Sequence, residues 1–286
     1  MTIIMQGSIV FTRQLAMISA MLPGLLHSLT ALLCLLPAAL LVVRPVPARD
    51  HAFWAAGGLA FIGPALLALA LVWGHWVTGF APTLWVTLTA IIFTFGAASV
   101  LLAHMWRLLP LLMPYVVLMA VMATVWQQAQ GHALPGTLPS GWLGLHILVG
   151  VGTYALLTLA AVAALASFLQ ERALKQKRRT RLTTQLPAMA DAERLSTRLL
   201  MAGEAVLAIG LGSGMAVEWF ERGRLLTLDH KTLLSLLAFF LIGLLLAAHR
   251  FVGMRGRIAA RLILVAWLLL TLAYPGVKFV TDVLIS

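Results

Sequence analysis

The chain has 286 residues, of which 62% are hydrophobic and 10% charged, with a mean hydropathy of +0.99 and a net charge of +11. Soluble domains carry about 45–50% apolar and about 25% charged residues, so a water-soluble globule is excluded: too few charges exist to cover so much apolar surface. The positive charge lies between apolar runs, where it reads as a topology signal for a membrane protein rather than as a nucleic-acid footprint.

Residues 1–21 are moderately apolar but broken by Arg13 and Gln14. They read as a lead-in on the outer side, either an interfacial helix or a signal peptide without a clean basic start. Eight apolar runs follow, over residues 22–43, 53–73, 83–103, 108–126, 143–169, 199–217, 232–248 and 262–285. Each is long enough, or nearly so, for the roughly 20 residues that a membrane-spanning helix needs. Lipid offers no partners for backbone N–H and C=O, so the runs are expected to be helical. The expectation is an all-α, polytopic membrane protein, with residues 22–286 forming a single eight-helix domain.

The segments after the first, third, fifth and seventh runs hold fifteen lysines and arginines, and those after the second, fourth and sixth hold three. Cytoplasmic loops collect these residues, which places both termini on the outer, periplasmic side of a bacterial inner membrane. The large inner loop, residues 170–198, carries Arg172, Lys175, Lys177, Arg178, Arg179 and Arg181 as an expected continuation of the fifth helix. Asp191-Ala192-Glu193-Arg194 reads as the capped start of the sixth. Anionic lipid headgroups are the expected neighbours of this loop, and nucleic acid is not an expected partner. There is no phosphate-cradling glycine loop, so nucleotide hydrolysis is not indicated. Cys34 is the sole cysteine, which excludes an internal disulfide and covalent haem attachment through a Cys-x-x-Cys-His motif.

Ionisable residues inside spans are costly and usually face an interior or a cavity. Three histidines stand out. His75 follows the second span in Trp73-Gly74-His75-Trp76, His146 lies one turn inside the outer end of the fifth, and His249 closes the seventh at its inner end. In a helix, His146, Gly150 and Tyr154 share one face, and Gly150 clears space beneath the imidazole for something flat or for a neighbouring helix. Neutral imidazoles at His75 and His146 could hold haem iron between them near the outer surface. The blander reading is interhelical hydrogen bonding, with the nearby tryptophans serving as an interfacial belt. Glu204 in the sixth span could pair with His249 or snorkel to the basic surface. Lys278 and Asp282, four residues apart, could neutralise each other or leave Lys278 to meet a ligand carboxylate. Gly210 and Gly214 form a small-xxx-small pair suited to close helix approach.

These residues together resemble the CcsA/HemX-type cytochrome c assembly family, and more closely its short HemX-like inner-membrane branch. The residues that carry the likeness are His146 with Thr153-Tyr154, Ile209-Gly210 and Ser213-Gly214, and Asp229 and Lys231. They continue with His249-Arg250, Gly253-Met254-Arg255-Gly256, and Tyr274 with Gly276-Val277. The likeness is best from Gly141 to the end of the chain and weaker through residues 73–95. It implies haem handling at an outer tryptophan-rich loop, with His146 as a flanking histidine, His249 as a histidine toward the inner side and His75 at the end of the second span. Trp219, Asp229 and Lys231 match the remnant of that loop, residues 218–231. The loop keeps one tryptophan, and no histidine follows Gly276-Val277. The resemblance therefore implies an accessory, transport or regulatory role rather than haem ligation to a protein.

The expected function is a protein that binds non-covalent haem b and assists cytochrome c biogenesis or haem handling. Haem itself, other assembly proteins or apocytochrome c are the expected partners. Its candidate metal ligands are His75, His146 and His249, with Tyr154, Trp219, Asp229 and Lys231 as further cofactor contacts. The alternative is a cofactor-free membrane scaffold or a regulator of a cytochrome-assembly or tetrapyrrole-synthesis partner.

Overall fold

The computed structural model describes residues 24–44, 48–72, 77–127, 132–133, 141–223, 229–254 and 256–284. In chain order the helices are α1 (Gly24–Leu41), α2 (His51–Val72), α3 (Phe80–Leu101), α4 (Leu109–Val125), α5 (Gly141–Lys175), a short α6 (Arg181–Gln185), α7 (Met189–Arg222), α8 (His230–Phe251) and α9 (Arg257–Thr271). The last continues through a π turn at Leu272–Gly276 to Leu284. All but α6 are long and apolar enough to cross a membrane, so the chain is an all-α, multi-pass membrane protein. Among the described residues, β structure is limited to a two-residue antiparallel pairing. It joins β1 (Val77–Thr78) to β2 (His132–Ala133) and so ties the α2–α3 connection to the α4–α5 connection.

Helix α5 is the hub. Of its apolar stretch 67% is buried, against 17–28% for α1, α2, α7 and α8, which turn most of their surface to lipid. It packs against α3, α7 and α9. Lipid tails are as apolar as leucine, so helices associate in a membrane through close packing rather than apolar burial alone. Ala155, Ala160, Ala163, Ala164 and Ala166 keep the hub slim enough for three neighbours. Ser196 on α7 donates to the Ala160 carbonyl at 3.1 Å along this seam. On α3, Phe80, Leu84, Trp85, Leu88 and Ile91 fill the interior.

Cys34 has a packing role. A Cβ on Gly63 would stand 2.5 Å from the Cys34 Cβ, so α1 and α2 touch almost backbone to backbone at this point. In α9, Pro275 has no N–H to give to the carbonyl four residues back, and the helix widens into the π turn where Tyr274 and Ala273 face inward.

The helices outrun the apolar runs at the end of the bundle that carries residues 170–198, called the basic end below. Helix α5 reaches Lys175, where a turn ends it, and α7 starts at Met189, earlier than the acidic pair predicts. Asp191 sits in the first turn of α7, whereas the N-cap is Ala188, whose side chain makes no capping bond. Glu193 Oε1 accepts the Gly256 N–H at 3.2 Å, and Glu171 Oε1 lies 3.1 Å from Arg257 Nε. Together they pin the α8–α9 turn to α5 and α7.

Asp50 caps α2 by accepting the Phe53 N–H at 2.9 Å, and it also meets Arg44 Nη1 at 3.0 Å. The Phe53 hydrogen bond, with help from Arg44, holds the Asp50 carboxyl below its ordinary 3.8. A carboxyl lowered on folding contributes stability above its unfolded value and loses it as pH falls through the folded one. Asp50→Ala should therefore melt below the wild type at neutral pH, with the two curves converging as pH drops under 3.8.

Candidate functional site

At the end of the bundle opposite the basic end, His146 lies in the second turn of α5 and leans on α7. The Ser213 hydroxyl donates its single hydrogen to the Gly210 carbonyl at 2.9 Å, as a serine one turn on can do. His146 Nδ1 lies 2.8 Å from that same oxygen. With its hydrogen on the Gly210 carbonyl the hydroxyl accepts from Nδ1–H, whereas turned to Nδ1 it would leave the imidazole proton on Nε2. The first arrangement leaves Nε2 with a free lone pair, as in a metal-ligating histidine. Gly214 makes the lean possible, since a Cβ there would stand 3.0 Å from the His146 Cε1. Half-exposed Trp142 adds a second tie, its Nε1 donating to the Ser213 carbonyl at 3.4 Å.

The imidazole borders a cavity of ≈ 330 Å³ enclosed by α3, α5, α7, α8 and α9. Ligand pockets run from about 300 to 1,000 Å³, so this one sits at the compact end. His146 and Gly150 form one wall, Gly210 and Leu211 another, and Tyr154 and Tyr274 a third. A Cβ at Gly150 would meet nothing within 4 Å. The helix face of His146, Gly150 and Tyr154 that the spacing predicts thus borders this cavity.

Tyr154 is fixed by a chain of hydroxyl contacts. The Tyr154 hydroxyl lies 3.1 Å from Thr271 Oγ1, which is itself 2.8 Å from the Trp267 carbonyl. Tyr154 also shares a hydrogen bond with the Tyr115 hydroxyl at 2.8 Å. Its hydroxyl is spent on the bundle, and what it offers the cavity is ring surface. Tyr274 stands beside it with ring centroids 6.2 Å apart. The cation at the cavity is Lys278, whose Nζ lies 3.9 Å from Asp282 Oδ2. At that distance the pairing that four-residue spacing predicts is loose, and Lys278 remains on the cavity wall.

The other sequence-predicted residues that are described are not gathered there. His75, with Trp73 and Trp76, lies outside the described residues. Trp219 is half-exposed near the end of α7. Asp229 caps α8, its Oδ1 accepting the Thr232 N–H at 2.7 Å. Lys231 is in the first turn of α8, and its side chain lies outside what is described. His249 is at the basic end, with Nδ1 donating to the Met254 carbonyl at 2.9 Å and the ring beside a cavity of only ≈ 30 Å³ shared with Ala164 and Ser167 of α5. Those residues stand about 30 Å along α5 from His146, so the two imidazoles serve separate places. Glu204 does not meet His249 among the described contacts, because its Oε1 faces Gly243, two turns nearer the start of α8. Among the described residues no three metal-ligating side chains converge, so a bare ion has no ready cage.

Sequence reasoning singled out His146, Gly150, Tyr154 and Lys278 but gave no role to the Ser213 hydroxyl, Tyr115 or Thr271. Ser213 was visible only as part of a glycine-rich stretch, since its hydroxyl acquires meaning once α5 is laid against α7.

The family described as Cytochrome C assembly protein matches residues 64–285, more of the chain than the residue-by-residue likeness covers. An Azospirillum brasilense protein, described as an uncharacterized 28.8 kDa protein in the nifR3-like 5' region, is 53% identical over 268 residues, covering 92% of this chain and 99% of that one. Inner membrane protein YpjD of Escherichia coli K12 is 27% identical over 184 residues, 63% of this chain and 66% of its own length.

Proposed function

The chain belongs to the cytochrome c assembly protein family, a membership that supports a role in cytochrome c biogenesis, and from that premise we propose that it holds a b-type haem in the cavity beside His146. One observation carries the reading: the His146 ring, held by Ser213 through Nδ1, borders an apolar cavity, and with the Ser213 hydrogen on Gly210 its Nε2 keeps a lone pair. Haem iron takes an imidazole nitrogen as an axial ligand, and it needs one or two such ligands rather than a cage of three. The remaining wall suits the rest of the molecule. Tyr154, Tyr274 and Leu211 offer flat and apolar surface, Gly150 leaves room for a macrocycle edge, and Lys278 offers a cation to a propionate.

His75, two residues before β1 in the sequence, is the second residue that would hold the haem, and His249 would serve as a separate transient site at the basic end. In this reading the basic end faces the cytoplasm of a bacterial inner membrane and the haem cavity faces the periplasm. Trp219 as the lone tryptophan of its loop favours an accessory that holds or passes haem to other assembly proteins or apocytochrome c.

A deletion strain tests the role. Haem-stained c-type cytochromes should fall when the gene is removed, return with the wild type, and stay low with His146→Ala at equal membrane abundance. Full recovery with His146→Ala, together with loss of function on neutralising Arg178 and Arg179, would favour the cofactor-free scaffold.

A further inference from the structure

At the basic end, the segment between α5 and α7 is folded rather than trailing. Thr180 caps α6 in a reciprocal bond pair with Thr183. Gln170 Nε2 donates to the Thr183 and Pro187 carbonyls at 2.8 and 2.9 Å, and Gln185 Nε2 donates to the Arg44 carbonyl at 2.7 Å. The Arg181 guanidinium donates to the Val43 carbonyl. This frame borders a second, half-open cavity of ≈ 740 Å³ whose charged lining is Arg107 and the exposed Lys177 and Arg179, with no carboxylate among its described walls.

Arg107 enters from the turn before α4. Its Nε and Nη2 donate to the Gln185 and Thr184 carbonyls at 3.2 and 3.3 Å, which uses two of its five N–H groups and fixes the planar fork. Lys177 holds an unusual backbone, φ 50°. Its N–H bonds the Leu174 carbonyl and the Arg178 N–H bonds the Ala173 carbonyl, both at 3.1 Å, which makes it the residue just past the end of α5 in a Schellman turn. Glycine is the usual residue there because a side chain is strained at that φ. A lysine keeps the strain and places a cation on the cavity. Ala188 and Met189, at the start of α7, also line it, so a helix N-terminus adds its positive pole.

We propose that this cavity binds a phosphate-bearing anion, through bidentate contact from Arg107 and point charges from Lys177 and Arg179. The anion is either the phosphodiester of an acidic lipid headgroup or free phosphate. The proposal is independent of the haem reading, since the two cavities share no residue.

Two probes separate the sources. Protein in nanodiscs of phosphatidylcholine, with and without phosphatidylglycerol, is examined by native mass spectrometry for retained lipid. Inorganic phosphate is titrated into the detergent-solubilised protein, with melting temperature as the readout. Selective retention of phosphatidylglycerol identifies the headgroup, and a phosphate-dependent rise in Tm identifies the free ion. In either case Lys177→Gly and Arg179→Gln should each weaken binding about fivefold. Lys177→Gly should melt no lower than the wild type, because glycine relieves the turn, so its loss of binding is not a loss of fold. Binding of neither probe, or binding undiminished in both variants, overturns the proposal.

Discussion

Ser213→Ala is expected to lower haem affinity by about 10- to 100-fold, the usual cost of removing the hydrogen-bond partner of a metal-ligating histidine. The hydroxyl touches no ligand in this account. It acts through the ring, holding the proton on Nδ1 and the imidazole against Gly214 at 2.8 Å from its oxygen. Without it the imidazole is free to take the other tautomer, with Nε2 protonated and unable to donate to iron. Titrating haem into the apo-protein and following the Soret band measures the effect, and Ser213→Thr, which restores a hydroxyl, should recover much of it. His146→Ala removes the ligand itself and should leave only weak apolar association with no defined axial spectrum. Equal affinity in Ser213→Ala and the wild type would mean that Nε2 of His146 is not the coordinating atom.

Gly150→Leu should separate binding from folding in the opposite way to a core substitution. Most additions to a packed helix seam are destabilising by about 1–3 kcal/mol. Gly203 shows why: a Cβ there would come within 3.0 Å of Leu157. Position 150 is different, since a Cβ meets nothing within 4 Å, and leucine favours a helix over glycine by roughly 0.5–1 kcal/mol. The variant should melt at or slightly above the wild-type temperature. Its side chain would project into a ≈ 330 Å³ cavity with no room to spare, so haem occupancy should fall at least tenfold. Tight haem binding by a well-folded Gly150→Leu protein would place the ligand elsewhere.

The membrane fold was legible because apolar runs report directly on lipid. The eight spans follow from composition, whereas the central place of α5 emerges only from how the helices pack. Helix ends were less legible: the basic residues from Arg172 to Arg181 read as a continuation of α5, yet it ends at Lys175 and Arg181 opens α6, while α7 starts two residues before Asp191. Helix α6 is too short to show any period. At the site, the face of His146, Gly150 and Tyr154 could be read from 3.6-residue spacing alone. The Nδ1 contact could not, because it is made by Ser213, a residue 67 positions away brought near by the packing of α7 on α5. The Tyr154 hydroxyl, a candidate haem contact from sequence, is bound to Tyr115 and Thr271 on two other helices, a fact that no local pattern encodes.

The absorption spectrum of the detergent-purified protein, expressed with haem in ample supply, bears most directly on the central claim. The account predicts a Soret band in the wild type and in His249→Ala, and its loss in His146→Ala at unchanged melting temperature. A wild-type protein without a Soret band, or a band that survives His146→Ala intact, would contradict it.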